Sequence, residues 1–300
     1  MSKWFDRYNR NKKILSDGHL YRNQDEHDAC GVGFVASIDG KPRRKVVEGG
    51  IDALKAVWHR GAVDADGKTG DGCGLLTQIP EGFFDDEIAK TGHEKKDSKL
   101  GVGMIFLPRN DYAALEKCRT IIESELLDHG YYIYGWRQVP IDNSVIGEKA
   151  NLTRPEIEQV LFANNIDRPK DFDYSKQLYL VRRRIEKRIQ RQQISDFYIC
   201  SMSFDVIIYK GLFLAEELST FYPDLMNEHF VSSYSIFHQR YSTNTFPSWG
   251  LAQPFRMLAH NGEINTISGN TNWMRNHQTR IAEEIFGDDS EQVKPIIEKN

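Results

Sequence analysis

The stretch EHDACGVGF, residues 26–34, decides how this chain is organised, because it places Cys30 between a charged leader and a strand-like run. Gly31 and Gly33 keep the backbone beside Cys30 free of side-chain bulk, which a nucleophile needs when a substrate carbonyl must come close. The competing interpretation is that Cys30 is a small buried hydrophobe, because free cysteine is among the most buried residue types. The residues that accompany Cys30 elsewhere in the chain decide between the two.

The composition indicates a folded chain with a sizeable core. Of the 300 residues, 40% are apolar and 11% aromatic, and the net charge of -4 indicates neither a basic surface for nucleic acid nor a polyacidic tail. No segment approaches the roughly 18 consecutive apolar residues of a membrane-spanning helix, and residues 1–29 lack the apolar core of a secretory signal. The four cysteines, at 30, 73, 118 and 200, are too widely spaced for a Cys-x-x-Cys pair. Reduced thiols and a cytoplasmic location fit these features.

The first residues are predicted to differ from the rest. Residues 1–29 are charged and show little periodicity, which predicts an exposed leader, with order beginning near Cys30. Residues 30–38 alternate well enough to be a strand. The pair Asp39-Gly40 then predicts a hairpin turn that leads to a second strand at 44–47.

The remaining pattern predicts an α+β fold, with antiparallel sheet covered by helices, because the strands do not alternate regularly with helices as in a parallel sheet. Thr153-Arg154-Pro155-Glu156 has the form of a capping box with proline in the first turn, so a helix is predicted over 153–164. The arginine-rich run 182–191 is predicted to be a solvated amphipathic helix rather than a nucleic-acid contact. Cys118 and Cys200 are predicted to lie in the core. Further strands are predicted at 75–79, 101–107, 131–139, 197–209 (as a pair), 234–241 and 255–260, and further helices at 51–58, 111–129, 213–222 and 266–286.

Three other stretches combine a polar functional group with a glycine or a strand end, where side chains can converge on a cleft. They are His59-Arg60-Gly61-Ala62, the run from His238 to Asn244, and His260-Asn261-Gly262-Glu263-Ile264. Taken singly, the arginines are consistent with surface ion pairs, and Asn261-Gly262 with a simple turn. The intervals between the histidines do not give a metal-binding pair on one helix, so no metal site is predicted.

Together with Cys30, these stretches supply a nucleophile, two guanidinium groups suited to a carboxylate, and an amide beside a backbone N–H. Those are the components of an acyl-transfer site. Two kinds of base remain open. One of His59, His238 and His260 would make a conventional Cys-His hydrolase. Alternatively, removal of residues 1–29 would give Cys30 a free α-amine, whose pKa of about 7.7–8.0 allows it to accept the thiol proton.

These motifs resemble those of the class II glutamine amidotransferases, whose catalytic domain is an N-terminal-nucleophile hydrolase. The resemblance rests on Cys30-Gly31-Val32-Gly33, the His-Arg-Gly at 59–61, Arg240-Tyr241-Ser242-Thr243 and the His-Asn-Gly-Glu at 260–263. It covers essentially the whole chain and implies a four-layer αββα sandwich of two antiparallel sheets.

Within that family, longer segments of the sequence look most like the amidotransferase domain of the bacterial glutamate synthase branch. The matching segments are 26–31, 59–66, 69–72, 135–140 and 238–249. The interval of 180 residues from Arg60 to Arg240 favours this branch, because other class II amidotransferases place these motifs closer together.

The resemblance implies a reaction. Residues 1–29 would be a propeptide and residues 30–300 the amidotransferase domain, with Cys30 as the mature N-terminus. The Cys30 thiolate would attack the side-chain amide of L-glutamine, release ammonia and leave a thioester that water hydrolyses to glutamate.

The resemblance also assigns the other site residues. The Asn261 amide and the Gly262 N–H match the family's oxyanion hole. Arg240 and Thr243 match positions that hold the substrate's α-carboxylate. The last two assignments are that Arg60 lines or closes the glutamine pocket and that Tyr241 is a wall residue.

One family feature has no match in the sequence. The family binds the substrate's α-amine with an aspartate in a Ser-Asp-Ser stretch, whereas Asp288-Asp289-Ser290-Glu291 follows a helical run and is predicted to be an exposed loop. That aspartate is expected beyond Asn300, in a longer polypeptide of which this chain is a piece. No cofactor is expected in this chain. The implied FMN, iron–sulfur cluster, 2-oxoglutarate site and small electron-supplying subunit would belong to the full-length enzyme. The alternatives are an inert unprocessed fragment, a non-catalytic partner-binding domain and another class II amidotransferase.

Overall fold

The computed structural model describes residues 2–17, 31–169, 171–240, 245–257 and 267–297. The chain divides into two compact units, Met1–Cys30 and Gly31–Asn300. The first contains helix α1, Ser2–Ser16. The prediction that order begins near Cys30 is therefore wrong for this segment, because residues 2–16 contain neither glycine nor proline and charged side chains do not oppose a helix.

Two antiparallel four-stranded sheets form the centre of the second unit. The first sheet has the order β1-β8-β2-β7 and the second the order β4-β5-β3-β6. The strands of the first sheet are β1 Val32–Ala36, β2 Cys73–Gln78, β7 Val206–Gly211 and β8 Tyr234–Gln239. Those of the second sheet are β3 Leu100–Leu107, β4 Tyr131–Gln138, β5 Glu156–Asn164 and β6 Tyr198–Ser203.

Helices cover the outer face of each sheet. Helix α2 (Arg44–Ala56) packs on β1 and β8, and helices α4 (Tyr112–Asp128) and α6 (Tyr174–Arg191) pack together on the second sheet. The expected αββα layering is thus confirmed. The other helices are α3 Glu81–Lys90, α5 Glu148–Leu152, α7 Leu218–Phe221, α8 Ile267–Phe286 and α9 Ser290–Val293. No helix in the described ranges is both long and apolar enough to cross a membrane.

The predicted hairpin after β1 is wrong beyond its turn. Gly40 has the left-handed φ of +69° that the turn requires, but residues 44–47 are the first turn of α2 and not a strand. Helical spacing buries Val47, Ile51 and Leu54 together, and this burial outweighs the β-propensity of the valine pair. The pairing partner of β1 is instead the distant strand β8.

The predicted helix 153–164 is also wrong, because 156–164 forms β5, which pairs with both β3 and β4. Val160, Leu161 and Phe162 are all fully buried. A strand buried on both faces accounts for such a continuous apolar run, so tertiary burial overrides the local capping pattern.

Three further expectations need correction. β6 and β7 follow each other in sequence but belong to different sheets. Residues 288–291 are not a loop, because they lie in a 3-10 turn and the start of α9. Residues 255–257 form no strand, and the rest of the predicted strand 255–260 lies outside the described residues.

The arginine-rich run is helical as predicted, but it is only partly solvated. Arg182 and Arg183 are buried and both donate to Glu186. Arg184 and Arg188 donate to the two oxygens of the buried Glu125 on α4. The predicted core positions of Cys118 and Cys200 are confirmed, since both are almost fully buried.

Candidate functional site

The two candidate site residues in the described part of the chain, Arg60 and Arg240, belong to segments at one edge of the first sheet, where β1 and β2 begin and β8 ends. The pairing register places Val32 opposite His238 and Cys73 opposite Gln239. The backbone N–H of Gln239 donates to the carbonyl of Gly31 at 2.5 Å. The residue that follows Cys30 in sequence is thus held beside the residue that precedes Arg240.

Arg240 is half-buried and held by three contacts. Its backbone N–H donates to the Gly72 carbonyl at 2.8 Å. Its guanidinium donates to the Asp71 carbonyl at 3.3 Å and to Thr245 Oγ1 at 2.6 Å. Burial lowers the pKa of Arg240, and the charge of Asp71 partly opposes this. A guanidinium carries five N–H donors in a rigid fork, so donors remain for a bound carboxylate.

Arg60 lies in the 3-10 turn Trp58–Arg60 that follows α2, and its side chain is exposed. The next residue, Gly61, packs against the side-chain amide of Gln239, where a β-carbon would lie 2.0 Å from Nε2. That Nε2 donates to the Arg240 carbonyl at 3.3 Å. The structure therefore brings the Arg60 segment and Arg240 to the same edge of the sheet.

The polar residues after Gly61 hold their loop in place. Asp66 accepts hydrogen bonds from the Thr69 backbone N–H at 2.7 Å and the Thr69 hydroxyl at 2.6 Å, and these bonds lower its pKa. Thr69 Oγ1 in turn accepts from the Ala150 N–H of α5 at 3.2 Å. Lys149 forms an ion pair with Asp64 at 2.7 Å. Loop 61–72 is thereby fixed to the first turn of α5.

Sequence reasoning missed a buried lysine that holds the segment after Arg240. Lys210, at the end of β7, is fully buried. Its Nζ donates to the carbonyls of Gly250 and Ala252 at 2.8 and 2.7 Å. Trp249 Nε1 donates to the Ala150 carbonyl at 3.1 Å. The available signal was a lysine inside the otherwise apolar strand sequence VIIYKG, because such a lysine must find acceptors in the interior.

Of the three candidate histidines, His59 and His238 lie in the described part of the chain, and their environments differ. His59 is exposed in the 3-10 turn beside Arg60. His238 is 1% exposed in β8, between Val32 of β1 and Gly74 of β2. His260 lies outside the described residues, as do the predicted site residues Cys30, Tyr241, Thr243, Asn261 and Gly262.

The described cysteines do not suit a metal cluster. Cys73, Cys118 and Cys200 are buried on three separate elements, and burial raises the pKa of each thiol, to about 12 for Cys118 and Cys200. Among the residues that the structure describes, no group of three or more His, Cys, Asp or Glu side chains could hold a metal ion. An iron–sulfur cluster therefore does not fit this part of the chain.

Comparison with protein families matches residues 30–300 to the class-II glutamine amidotransferases. The chain is 60% identical over 97% of its length to the glutamate synthase [NADPH] large chain of Azospirillum brasilense, and covers 19% of that protein. It is 39% identical over 93% of its length to the glutamate synthase [NADPH] large chain of Bacillus subtilis, of which it covers 18%. The ferredoxin-dependent glutamate synthase of Spinacia oleracea is 42% identical over 90% of the chain, which covers 17% of it. The chain thus spans less than a fifth of the length of these relatives.

Proposed function

Because the chain belongs to the class-II glutamine amidotransferases, we propose that it hydrolyses L-glutamine to glutamate and ammonia as the amidotransferase part of a glutamate synthase. The observation that carries this proposal is the family match over residues 30–300, which begins at Cys30. Identity of 60% to a glutamate synthase large chain supports the choice of branch.

The proposed reaction begins with the Cys30 thiolate. It attacks the side-chain amide carbon of glutamine, the C–N bond breaks as the nitrogen takes a proton, and ammonia leaves. Water then hydrolyses the thioester to glutamate and regenerates the thiol. The oxyanion that forms in each step is assigned to the Asn261 amide and the Gly262 N–H, and losing one such donor typically slows a reaction by roughly 10² to 10³.

The proposed base is the α-amine of Cys30 after removal of residues 1–29 as a propeptide. At neutral pH an amine with a pKa of about 7.7–8.0 is partly unprotonated and can accept the thiol proton. The competing Cys-His mechanism assigns this role to His59, His238 or His260. Under the proposed mechanism, His59→Ala retains most of the activity, because His59 contributes no proton transfer.

Substrate recognition is assigned to the guanidinium of Arg240, with Thr243 beside it. The described geometry supports Arg240, because the Asp71 carbonyl and Thr245 Oγ1 fix a half-buried cation at the edge where Gly31 lies. A planar guanidinium held in this way can bind a carboxylate through two parallel hydrogen bonds. Arg60 is proposed to line or close the pocket, and Tyr241 to form part of its wall.

The full-length enzyme is proposed to use the ammonia on 2-oxoglutarate, with FMN and an iron–sulfur cluster held outside this chain. Its partners would be the remainder of the large chain and a small electron-supplying subunit. A cytoplasmic location is part of the proposal and is consistent with free, buried thiols at Cys73, Cys118 and Cys200.

Labelling with an electrophilic glutamine analogue tests the proposal. The account expects one adduct per mature chain, on Cys30, formed at a rate that L-glutamine reduces by competition. The three buried cysteines are internal controls, because burial keeps them protonated and inaccessible. An adduct on one of those cysteines, or labelling that glutamine does not slow, contradicts it.

A further inference from the structure

A cavity of about 450 Å³ lies at one edge of the second sheet, where β3 ends and β5 and β6 begin. Its wall is formed by residues 108–111 after β3, 152–155 before β5 and 192–196 between α6 and β6. None of the residues assigned to glutamine hydrolysis lines this cavity. Its size falls within the range of small-molecule sites, roughly 300–1,000 Å³.

Two arginines line the cavity without a carboxylate partner. Arg109 and Arg154 form no ion pair within the described part of the chain, although most other arginines of the second unit do. Arg109 donates to Asn151 Oδ1 at 3.3 Å, and Arg154 donates to the adjacent Pro155 carbonyl at 3.1 Å. The Nε of Arg154 is shielded from solvent and has no hydrogen-bond partner.

Arg109 is the strongest single charge that acts on Arg154. Burial lowers the pKa of Arg154, and the positive charge of Arg109 lowers it further, whereas Glu156 acts in the opposite direction with less effect. Two neighbouring cations, one of which has a shielded donor without an acceptor, do not stabilise the fold by themselves. An anion between the two guanidiniums would accept from their terminal N–H groups and offset the two positive charges.

The two carboxylates of the cavity wall do not fill this role. Asp111 caps helix α4, since its Oδ1 accepts from the Ala114 N–H at 2.9 Å. Asp196 is exposed, and the hydrogen bond of its carboxylate is to the neighbouring Ser195 hydroxyl at 3.4 Å. Neither forms an ion pair with Arg109 or Arg154.

The third side of the cavity is the segment that follows α6. Gln193, directly after the C-cap Gln192, has the left-handed φ of 56° with which helices commonly end, and Asp196 has a φ of 60°. The cavity lining here includes the amide-bearing Gln192 and Gln193 and the hydroxyl-bearing Ser195, together with the apolar Ile194. Amide and hydroxyl groups beside guanidiniums are suited to a polar anion and not to an apolar ligand.

We infer that this cavity binds a small molecule through a multiply charged oxyanion group, a phosphate or a pair of carboxylates, held between Arg109 and Arg154. The guanidiniums make the charged contacts, and the 192–196 segment contacts the rest of the molecule. This site is separate from glutamine hydrolysis, so its occupancy can be measured without reference to that activity.

Titration calorimetry on the full chain tests the inference, with inorganic phosphate and succinate as separate probes at a constant ionic strength set with chloride. We expect binding of at least one probe, with an affinity that Arg154→Gln and Arg109→Gln each weaken by about tenfold or more, equivalent to the loss of a charged hydrogen bond. Binding of phosphate alone identifies a phosphate ligand, and binding of succinate alone identifies a dicarboxylate.

Two matched variants control for general charge effects. Arg280→Gln removes an exposed arginine whose ion pair is with Glu284, and Arg240→Gln removes the arginine of the proposed glutamine site. Both should bind the probe as the wild type does. If Arg154→Gln does not fold, Arg154→Lys, which keeps the charge but loses the planar fork, should still weaken binding. Equal affinity in wild type and in the folded Arg109 and Arg154 variants, or no binding of either probe at millimolar concentration, overturns the inference.

Discussion

Gly61 lies directly against the side-chain amide of Gln239, so closely that a β-carbon at Gly61 would stand 2.0 Å from Nε2 and 2.7 Å from Cδ. The Gln239 side chain is buried, with 2% of the residue exposed. Since Arg60 precedes Gly61 and Arg240 follows Gln239, this contact joins the two arginine-bearing segments. Glycine at 61 leaves room for the close approach of the two segments.

The first prediction concerns this contact. Gly61→Ala should displace Gln239 and with it the Arg240 backbone, because overpacking in a buried contact costs about 1–3 kcal/mol and shifts the main chain. We expect the KM for glutamine to rise by about tenfold, with a smaller change in kcat. Gly82→Ala is the control, since nothing lies within 4 Å of its β-carbon position. Unchanged steady-state kinetics in a folded Gly61→Ala protein would argue against the coupling.

The second prediction concerns the hydroxyl that holds Arg240. Thr245→Val removes the acceptor at 2.6 Å from the guanidinium but keeps the side-chain shape. A hydrogen bond to a charged group contributes about 1.5–3 kcal/mol, so glutamine should bind roughly ten-fold more weakly, seen in KM. Thr245→Ser restores the hydroxyl and should restore most of the affinity. If serine and valine behave alike, the hydroxyl does not position Arg240.

The third prediction concerns a buried ion pair that the sequence motif 135–140 supplies. Arg137 donates to both oxygens of Asp224 at 2.7 Å, and Asp224 also accepts from the Tyr209 hydroxyl at 2.8 Å. Asp224→Asn removes the bidentate anion of a buried cation, which keeps its ion pair with Glu87 at 2.7 Å, so the free energy of unfolding should fall by up to about 3 kcal/mol. Asp39→Asn, which breaks an exposed pair with Arg43, should change the denaturation midpoint little. Similar midpoints for the two variants would show that burial does not strengthen the Arg137 pair.

The fourth prediction concerns acid stability. Burial alone would raise the pKa of Glu125, but Arg188 and Arg184 outweigh it and lower that pKa below its usual range. A carboxyl whose folded pKa is lowered stabilises the fold above its unfolded pKa, near 4.3, and this contribution disappears as pH falls through the folded value. The free energy of unfolding of Glu125→Gln, measured by urea denaturation, should therefore be lower than wild type at pH 7. The difference should shrink as the pH falls below about 4.3. A difference that stays constant with pH would contradict this role for Glu125.

The sequence predicted much of the fold where local and tertiary preferences agree. β1, β2, β3, β4, α4 and α8 lie close to their predicted positions, because their apolar periodicity matches the faces they bury. The prediction from sequence failed where burial in the fold overrides a local sequence pattern. The capping pattern at 153–156 predicts a helix, but burial between two neighbouring strands makes the segment that follows a strand. The valines at 46–47 favour a strand, but they lie on the buried face of helix α2. The crossing from β6 to β7 depends on which sheet each strand joins, and a short apolar segment does not contain that information.

The candidate site was predicted from its motifs to a limited extent. Arg60 and Arg240 were found because they stand beside glycine and a strand end, and the structure brings their segments together. Gln239 and Lys210 were missed, since their roles depend on contacts with Gly61 and with the carbonyls of 250 and 252. Such contacts join segments far apart in sequence and leave no local pattern. The assignments of Cys30, Tyr241, Thr243, Asn261 and Gly262 stay predictions.

Intact mass measured together with glutaminase activity on one purified preparation of the full-length protein tests the central claim most directly. The account predicts that active protein begins at Cys30, that a chain still carrying Ala29 is inactive, and that Cys30→Ser hydrolyses no glutamine. Glutamine hydrolysis by protein whose mass shows that residues 1–29 are still attached would contradict the N-terminal-amine mechanism.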